Sequence, residues 1–233
     1  MDIKELELVN PDKHWYYQSK LSALKRVVAK MILKDTIIDV GAGSGFFGLN
    51  IANSRDINNV LFIDPEYKNV IPSKLKNCIT YSACPHTPGD LYLFIDVLEH
   101  AEDDSDLLSH FVQEANPSAL FLITVPAFMS LWSPHDDYLE HKRRYSRAHL
   151  TSVANSVGLV VLESKYLFSS ITPLVYLIRK VKSQFKSADS DLKDARKVTN
   201  LFLRTLCTFE HKFTSNKIFG LSVLVLAQKG SSS

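Results

Sequence analysis

A glycine-rich stretch that directly follows an apolar segment constrains most strongly how this chain can fold. Residues 36–40 have the pattern of a buried strand, and Gly41, Gly43 and Gly45 follow it before a helical pattern over residues 46–53. Alternating glycines let a backbone turn sharply and approach a ligand closely, where any Cβ would collide. Residues 43–48 also match the G-x-G-x-x-G spacing of dinucleotide-binding loops, which is weak evidence when it stands alone. The stretch predicts a ligand-binding turn between a strand and a helix.

Strand patterns and helix patterns alternate along most of the chain. We expect an amphipathic helix over residues 16–33, strands over 36–40, 60–63, 78–81, 91–95, 120–125 and 159–163, and a last strand over 221–227. This alternation predicts an α/β fold, a Rossmann-like sheet of seven mostly parallel strands with helices on both faces. Ligands of such sheets bind beyond the carboxyl ends of the strands.

The length of 233 residues suits one domain, which we expect to span residues 1–233. Residues 1–35 would form an N-terminal helical cap, and residues 169–218 a helical insertion before the last strand. The apolar run over 166–178 is followed by Arg179, Lys180, Lys182 and Lys186. A hairpin that closes the active site, or a homodimer contact, is the first expectation. Peripheral contact with a membrane, or reception of a lipid-like acceptor, is the alternative.

Acidic residues flank the glycine stretch. Asp39 comes immediately before the glycines, although a pyrophosphate would need this helix N-terminus to be free of negative charge. A cationic ligand would be attracted by the same carboxylate. Asp64 ends the second predicted strand, 19 residues after Gly45, where an acid can accept hydrogen bonds from both ribose hydroxyls.

An acid followed by G-x-G-x-G resembles motif I of class I S-adenosylmethionine-dependent methyltransferases. Residues 96–100, Asp-Val-Leu-Glu-His, look like the D-V-L-E-H motif of the small-molecule branch of that class. The resemblance covers about residues 14–168, and more loosely residues 219–229, and implies S-adenosylmethionine as cofactor. It implies cofactor contacts from Lys20, Asp39, Gly41, Ala42, Gly43, Gly45, Phe46, Asp64, Pro65, Ser82, Asp96, Val97 and Leu98. Ser82 stands where the family usually has an acid for the adenine amine, and Lys20 follows an aromatic cluster over 14–17 that fits the same branch.

The segment after the fifth strand contains His135-Asp136 and, over residues 141–145, an H-x-R-R-Y motif. It looks like a branch often found with bacterial glycan and lipid biosynthesis, so the expected acceptor is a small molecule, a glycan or a lipid-linked compound, methylated on oxygen. His135, the first choice, and His141 are the candidate catalytic bases. The candidate acceptor-binding residues are Trp132, Arg143, Arg144 and Tyr145. A loop-bridging role for either histidine, and a structural ion pair for either arginine, stay open.

The charge balance, 27 Lys and Arg against 25 Asp and Glu, gives no overall basic field, and the position of the N/D-P-P-Y/F tetrad of nucleic-acid amino-methyltransferases is occupied by residues 96–99, Asp-Val-Leu-Glu. We therefore expect no nucleic-acid partner.

The three cysteines lack C-x-x-C spacing, so no metal site is expected. The N-terminus lacks a signal-like apolar core, which predicts a cytoplasmic protein, with contact at the inner membrane surface left open. A nucleotide-dependent (NAD(P)) oxidoreductase and a non-catalytic cofactor-binding domain are the competing hypotheses.

Overall fold

A seven-stranded sheet organises the protein. The computed structural model describes residues 9–32, 35–182, 197–213 and 217–230. Its strands are β1 (Thr36–Val40), β2 (Asn59–Ile63), β3 (Ile79–Tyr81), β4 (Leu91–Ile95), β5 (Leu120–Pro126), β6 (Leu159–Leu167) and β7 (Ser222–Lys229). They lie in the order β3-β2-β1-β4-β5-β7-β6, and only β7 runs antiparallel to its neighbours. The predicted Rossmann-like fold is therefore confirmed.

Helices cover both faces of this sheet. They are α1 (Trp15–Val28), α2 (Phe46–Asn53), α3 (Asp104–Glu114), α4 (Pro134–Tyr138), α5 (Arg147–Ser156), α6 (Thr172–Lys182) and α7 (Lys197–Phe213). The two largest apolar clusters of the described residues lie one on each face. The first includes the ring stack of Tyr92 on Phe121 and receives α3 and α5, while the second receives α1, α2 and α7.

The carboxyl ends of β1 and β4 lie side by side at the point where the strand order reverses direction. From β1 the chain proceeds outward to β2 and β3, and it then crosses back to place β4 on the other side of β1. Crevices of parallel sheets open at such a reversal, because the loops after the two strands lead to opposite faces. The glycine loop after β1 and the D-V-L-E-H segment after β4 both lie here.

The N-terminal segment and the insertion pack against each other. The Trp15 amide donates to Asn200 Oδ1 at 2.7 Å, and Asn200 Nδ2 donates to the Lys13 carbonyl at 2.6 Å. Glu210 on α7 accepts hydrogen bonds at 2.7 Å from the backbone amides of both Ser169 and Ser170. The two additions to the sheet thus form one layer beside β1 and β4, with Cys207 buried inside it.

Two element boundaries differ most from the sequence-based expectation, and the other predicted boundaries differ by at most two residues. The first helix was predicted over 16–33, but it spans Trp15–Val28 and its final carbonyls are taken by turn-forming amides at Lys30 and Met31. Strand β6 was predicted to end at 163, but it continues to Leu167 because it pairs with β7 along its whole length. Of the predicted insertion, residues 183–196, with Lys186, and 214–216 lie outside the described residues. In the described part of the chain, no helix has the length and apolar character that a membrane crossing requires.

Candidate functional site

The glycine loop adopts a backbone that other residues would strain. Gly41, Gly43 and Gly45 have φ of +61°, +51° and +70°, in the left-handed region that L-residues with a Cβ disfavour. A Cβ on Gly41 would lie 2.6 Å from Val97 Cγ2, and one on Gly45 would lie 2.6 Å from Leu75 Cδ2. The loop therefore passes close to the segment after β4, as expected for a turn that carries a ligand between two strand ends.

Asp39 lies underneath this loop. Its Oδ2 accepts a hydrogen bond from the Gly48 amide at 3.1 Å, which ties the end of β1 to the first turn of α2. Only 3% of the residue is exposed. Burial raises the pKa of Asp39 to about 7, and the nearby Asp64 carboxylate adds to this shift, while the Gly48 hydrogen bond opposes it.

Asp64 connects the end of β2 to the same loop. Oδ2 accepts from the Gly43 amide at 2.8 Å, and Oδ1 accepts from the Glu66 amide at 2.9 Å, capping the short 3₁₀ turn that begins at Pro65. Tyr67, from that turn, donates its hydroxyl to the Gly43 carbonyl at 2.7 Å. Each carboxylate oxygen has a second lone pair, so Asp64 can still accept a hydrogen bond from a ligand hydroxyl.

Asp96 forms an ion pair with Lys20 that spans the N-terminal helix and the end of β4. The ammonium, which is fully buried, also donates to the Tyr16 hydroxyl at 2.9 Å, and Thr124 Oγ1 donates to Asp96 Oδ1 at 3.2 Å. Burial alone would lower the pKa of Lys20, but Asp96 and Tyr16 raise it above the usual value. Burial would likewise raise the pKa of Asp96, and Lys20 holds it below its usual range. Lys20 and Asp96 are therefore a charged pair at neutral pH.

The remaining predicted cofactor residues lie around the three carboxylates Asp39, Asp64 and Asp96. Ala42 donates its amide to the Ile63 carbonyl at 3.0 Å, and Phe46, at the start of α2, is buried against Tyr17 and Phe47. Ser82 follows β3, whose last residue accepts the Asp64 amide at 3.0 Å. Val97 is half-buried against the loop and Leu98 is fully buried. The predicted cofactor residues thus come from four adjacent strand ends and from α1.

Asp136 is the centre of the segment after β5. Arg144 donates to it from Nε at 2.7 Å and from Nη2 at 2.9 Å, and His141 Nδ1 lies 2.9 Å from its Oδ1. The Ser133 amide and hydroxyl also bind it, at 2.8 Å and 3.1 Å. Burial would raise the pKa of Asp136, but His141 and Arg144 hold it far below its usual range. Asp136 is therefore a permanent carboxylate that orients the His141 ring.

The other predicted acceptor-side residues make mainly structural contacts. Arg144 gives its remaining Nη1 to the Ala127 carbonyl at 2.9 Å, and Arg143 Nη2 donates to the carbonyls of Ala101 and Glu102. Tyr145 is buried and donates its hydroxyl to Asp104 at 2.6 Å. These contacts favour the structural ion pair, the second of the two roles weighed for the arginines. The half-buried pair Trp132 and His135 lies at the start of α4, where Trp132 Nε1 donates to Asp137 at 3.0 Å.

Three participants in these networks carry no role in the sequence-based prediction. Thr124 supports Asp96 from the adjacent strand, and Tyr16 supports Lys20, although only the aromatic cluster around Tyr16 was noted. Glu99 is fully buried, and burial raises its pKa well above the usual value, with Asp96 adding to the effect. The signal for Glu99 was available, because a carboxylate that directly follows the apolar residues Val97 and Leu98 at a strand end needs a partner or a function if it is buried.

Solved structures of known proteins are similar in fold to this chain. No protein-family model and no curated protein matches the chain. An S-adenosylmethionine-dependent methyltransferase from Mesorhizobium loti is similar in structure, with a TM-score of 0.59 at 13% identity over 94% of this chain and 100% of that one. One from Archaeoglobus fulgidus gives a TM-score of 0.54 at 16% identity over 91% and 94%. The chain has the class I methyltransferase fold.

This fold does not by itself fix the reaction. A [4+2]-cyclase is also similar to the chain, with a TM-score of 0.54 at 13% identity over 91% of this chain and 81% of that one. The function has to be argued from the side chains at the strand ends.

Proposed function

We propose that the protein binds S-adenosylmethionine and transfers its methyl group to an oxygen atom of a small-molecule, glycan or lipid-linked acceptor. The observation that carries this proposal is a row of three carboxylates around a glycine loop at the reversal of the strand order: the buried Asp39 and Asp64 and the partly exposed Asp96. Lys20 is the only cation that hydrogen-bonds to any of the three among the described residues, and it is paired to Asp96. Such a site attracts a ligand that carries positive charge and would repel a pyrophosphate.

The cofactor fits the residues present. The left-handed glycines let the loop turn tightly between the ends of β1 and β4, and Asp64, at the end of β2, offers a carboxylate for two ribose hydroxyls. Asp96, held by Lys20 and Thr124, lies at the end of β4 and would face the ammonium of the methionine part. Bound S-adenosylmethionine supplies a methyl group on a positively charged sulfur, from which an acceptor oxygen displaces it in line.

The acceptor would enter beside the segment after β5. Transfer to a hydroxyl forms a C–O bond and breaks the C–S bond, and it releases the hydroxyl proton to a base or to water. Between the two predicted histidines, the geometry favours His141, because the buried Asp136 fixes its ring through Nδ1 and leaves Nε2 to take a proton. His135 lies on the short helix α4 next to Trp132, in a position to contact an acceptor.

The nucleotide-dependent oxidoreductase is the less favoured alternative. Dinucleotide-binding sheets have the strand order 3-2-1-4-5-6. Here an antiparallel β7 is inserted between β5 and β6, as befits the class I methyltransferase fold. The acid in front of the glycine loop opposes a pyrophosphate at the same point.

Peripheral membrane contact is part of the proposal for lipid-linked acceptors. On α6, the side chains of Leu174, Leu177 and Ile178 are 58%, 60% and 44% exposed, and the sequence continues with several basic residues. An apolar helix face beside basic residues suits the surface of an anionic bilayer.

A methyl-transfer screen tests the proposed reaction. The protein is incubated with S-adenosylmethionine carrying a labelled methyl group and, in separate arms, with lipid-linked sugars, quinone precursors and small hydroxy acids. We expect label in one acceptor class and stoichiometric S-adenosylhomocysteine. If the protein binds the cofactor but transfers label to none of the acceptors, the result would support a non-catalytic binding domain instead.

A further inference from the structure

A buried carboxylate without a hydrogen-bond partner lies next to two histidines on the acceptor side of the site. Glu99 is 0% exposed, and neither of its carboxylate oxygens is hydrogen-bonded to another described residue. Leaving a buried acid unpaired costs several kcal/mol in general, so such groups are usually paired, protonated or bound to a metal. One ligand atom each from Glu99, His100 and His141 lie within 4.8 Å of one another.

We propose that Glu99, His100 and His141 bind a divalent first-row transition-metal ion, a site that the cysteine spacing gave no reason to expect. Two imidazoles and one carboxylate suit ions such as Zn²⁺, Mn²⁺ and Co²⁺. Metal–ligand bonds to such donors measure roughly 2.0–2.2 Å, so two ligands on opposite sides of one ion lie about 4 Å apart. The observed spread needs only a small side-chain adjustment to reach that distance.

The backbone holds the two ligand-bearing segments together. Lys142 donates its amide to the Glu99 carbonyl at 2.8 Å, and Arg143 reaches the Ala101 carbonyl at 2.9 Å. The H-x-R-R-Y segment is thus fixed on the D-V-L-E-H segment, and the three ligands converge although His141 lies 41 residues after His100 in the sequence. A site whose ligands are already convergent loses less entropy on binding an ion.

The surroundings of His141 are those of a metal-binding histidine. Its Nδ1 lies 2.9 Å from Asp136 Oδ1, which leaves Nε2 for the ion. A carboxylate on the far nitrogen fixes the tautomer and makes the ligating nitrogen more basic. Asp136 is held by Arg144 through two hydrogen bonds. Within the H-x-R-R-Y motif, Arg144 therefore stabilises the carboxylate that orients the proposed ligand His141.

The site has an open side. Glu99 is buried and the His141 side chain is only 7% exposed, but His100 is half-buried, and three protein ligands leave at least one coordination position for another molecule. If the proposed function holds, that position faces the acceptor, and an ion there would lower the pKa of an acceptor hydroxyl. The hydroxyl proton would then pass to water, and His141 would act as a ligand instead of the direct base.

Calorimetry on the full chain tests the site. Protein treated with a chelator and freed of it is titrated with Zn²⁺ and, separately, with Co²⁺, whose visible spectrum also reports coordination. We expect one ion per chain with a dissociation constant in the micromolar range or below, a raised Tm, and at least a tenfold loss of affinity in both Glu99→Gln and His141→Ala. As a matched control, His86→Ala should bind like the wild type, because His86 pairs with Glu114 on the surface, away from this site.

The outcomes separate this inference from the proposed function. Glu99→Gln should fold, since an amide of the same shape replaces a buried acid that has no partner, and circular dichroism checks this. Two results would overturn the metal site. One is no detectable binding by the wild type at ion concentrations up to 100 μM, and the other is an equal affinity of Glu99→Gln and the wild type for the ion. S-adenosylhomocysteine is titrated in the same metal-free samples: if it binds while the ions do not, only the metal site fails, and if it does not bind, the proposed function fails independently.

Discussion

The carboxylates at the strand ends act through different partners, so single substitutions should separate their roles. Asp64 accepts amide hydrogens from Gly43 and Glu66, and it is the acid best placed for the ribose hydroxyls of a cofactor. Asp39 instead accepts from Gly48 beneath the loop, and Asp96 is paired with Lys20. Substitutions at these three carboxylates therefore test the proposed cofactor binding directly.

Asp64→Asn should weaken the binding of S-adenosylhomocysteine by roughly ten- to a hundredfold, the loss expected for about one charge-assisted hydrogen bond of 1.5–3 kcal/mol. Isothermal titration calorimetry measures the affinity. Asp56→Asn is the matched control, because Asp56 is exposed before the opposite end of the same strand and has a φ of +53° that asparagine tolerates. Equal affinities in the two variants would show that another residue holds the ribose.

His141→Ala should reduce turnover by about a hundredfold or more, whether the ring accepts the proton itself or binds an ion that acidifies the acceptor. His135→Ala should cost less, because Asp136 orients His141 and not His135. Steady-state kinetics with the acceptor found in the screen measures both effects, and cofactor affinity should be unchanged in both variants. A loss under about threefold in both would leave proximity as the main source of the rate.

At the scale of elements, the N-terminal helix and the insertion form one layer that supplies parts of the site. Helix α1 delivers Lys20 to the end of β4, and α7 packs on α1 through Asn200. Helix α6 is connected to the segment after β5 through Arg179, which donates to the Leu131 carbonyl at 2.5 Å. Movement of α6 would therefore shift the segment after β5, which lies on the proposed acceptor side of the site.

The exposed face of α6 should bind anionic vesicles. We expect the protein to co-sediment with vesicles rich in phosphatidylserine at low salt and to be released at high salt, because basic residues follow the apolar face. Leu174→Ser with Leu177→Ser should reduce binding, whereas Val160→Ser, an exposed apolar site on β6, should not. Absence of vesicle binding together with concentration-dependent association in ultracentrifugation would favour a homodimer contact, and absence of both would favour a lid.

Elements could be predicted from the sequence to the extent that local patterns determine them. The bounds predicted for β1 and β4 were confirmed, since each is a short apolar segment between turn residues. The extension of β6 to Leu167 could not be predicted, because it depends on pairing with β7, which lies more than 50 residues later in the chain. Helix α4 was also missed, since it has only five residues, too few for a helical apolar pattern, and begins with a capping box of Ser133 and Asp136.

The site residues likewise divide into those that local sequence patterns predict and those that depend on tertiary packing. The glycine loop and Asp64 are visible in sequence because their spacing follows from one strand–turn–helix unit. The Lys20–Asp96 pair joins residues 76 positions apart, and only the resemblance to a family suggested a role for Lys20. The turn of α4 directs Asp136 to His141, five residues on, and no local sequence pattern fixes that pairing. Side-chain direction of this kind depends on tertiary packing.

For the whole molecule, the buried Asp39 makes stability depend on pH. Its pKa of about 7 in the folded state exceeds that of an unfolded aspartate, so the folded state binds the proton more tightly. The contribution to stability is complete below about pH 4 and is lost as the pH rises to about 7, by an amount on the order of a few kcal/mol at about 1.4 kcal/mol per pKa unit. Asp39→Asn keeps an acceptor for Gly48 and removes this dependence.

Urea unfolding between pH 4 and pH 8 measures the effect. The free energy of unfolding of Asp39→Asn, relative to that of the wild type, should increase across this range. Parallel curves for the two proteins would mean that Asp39 is ionised in the folded state throughout.

The strand-end site should bind a cationic adenosine compound and not a dinucleotide, and direct calorimetry tests this. We expect S-adenosylmethionine and S-adenosylhomocysteine to bind in the micromolar range and NAD⁺, NADH and NADPH to give no measurable heat. Gly43→Val should abolish this binding, since its side chain would enter the loop at a φ of +51°. Gly158→Val, which also has a positive φ but no atom within 4 Å of the added Cβ, should retain it. Tight binding of NADH or NADPH, with no heat from S-adenosylhomocysteine, would contradict the account.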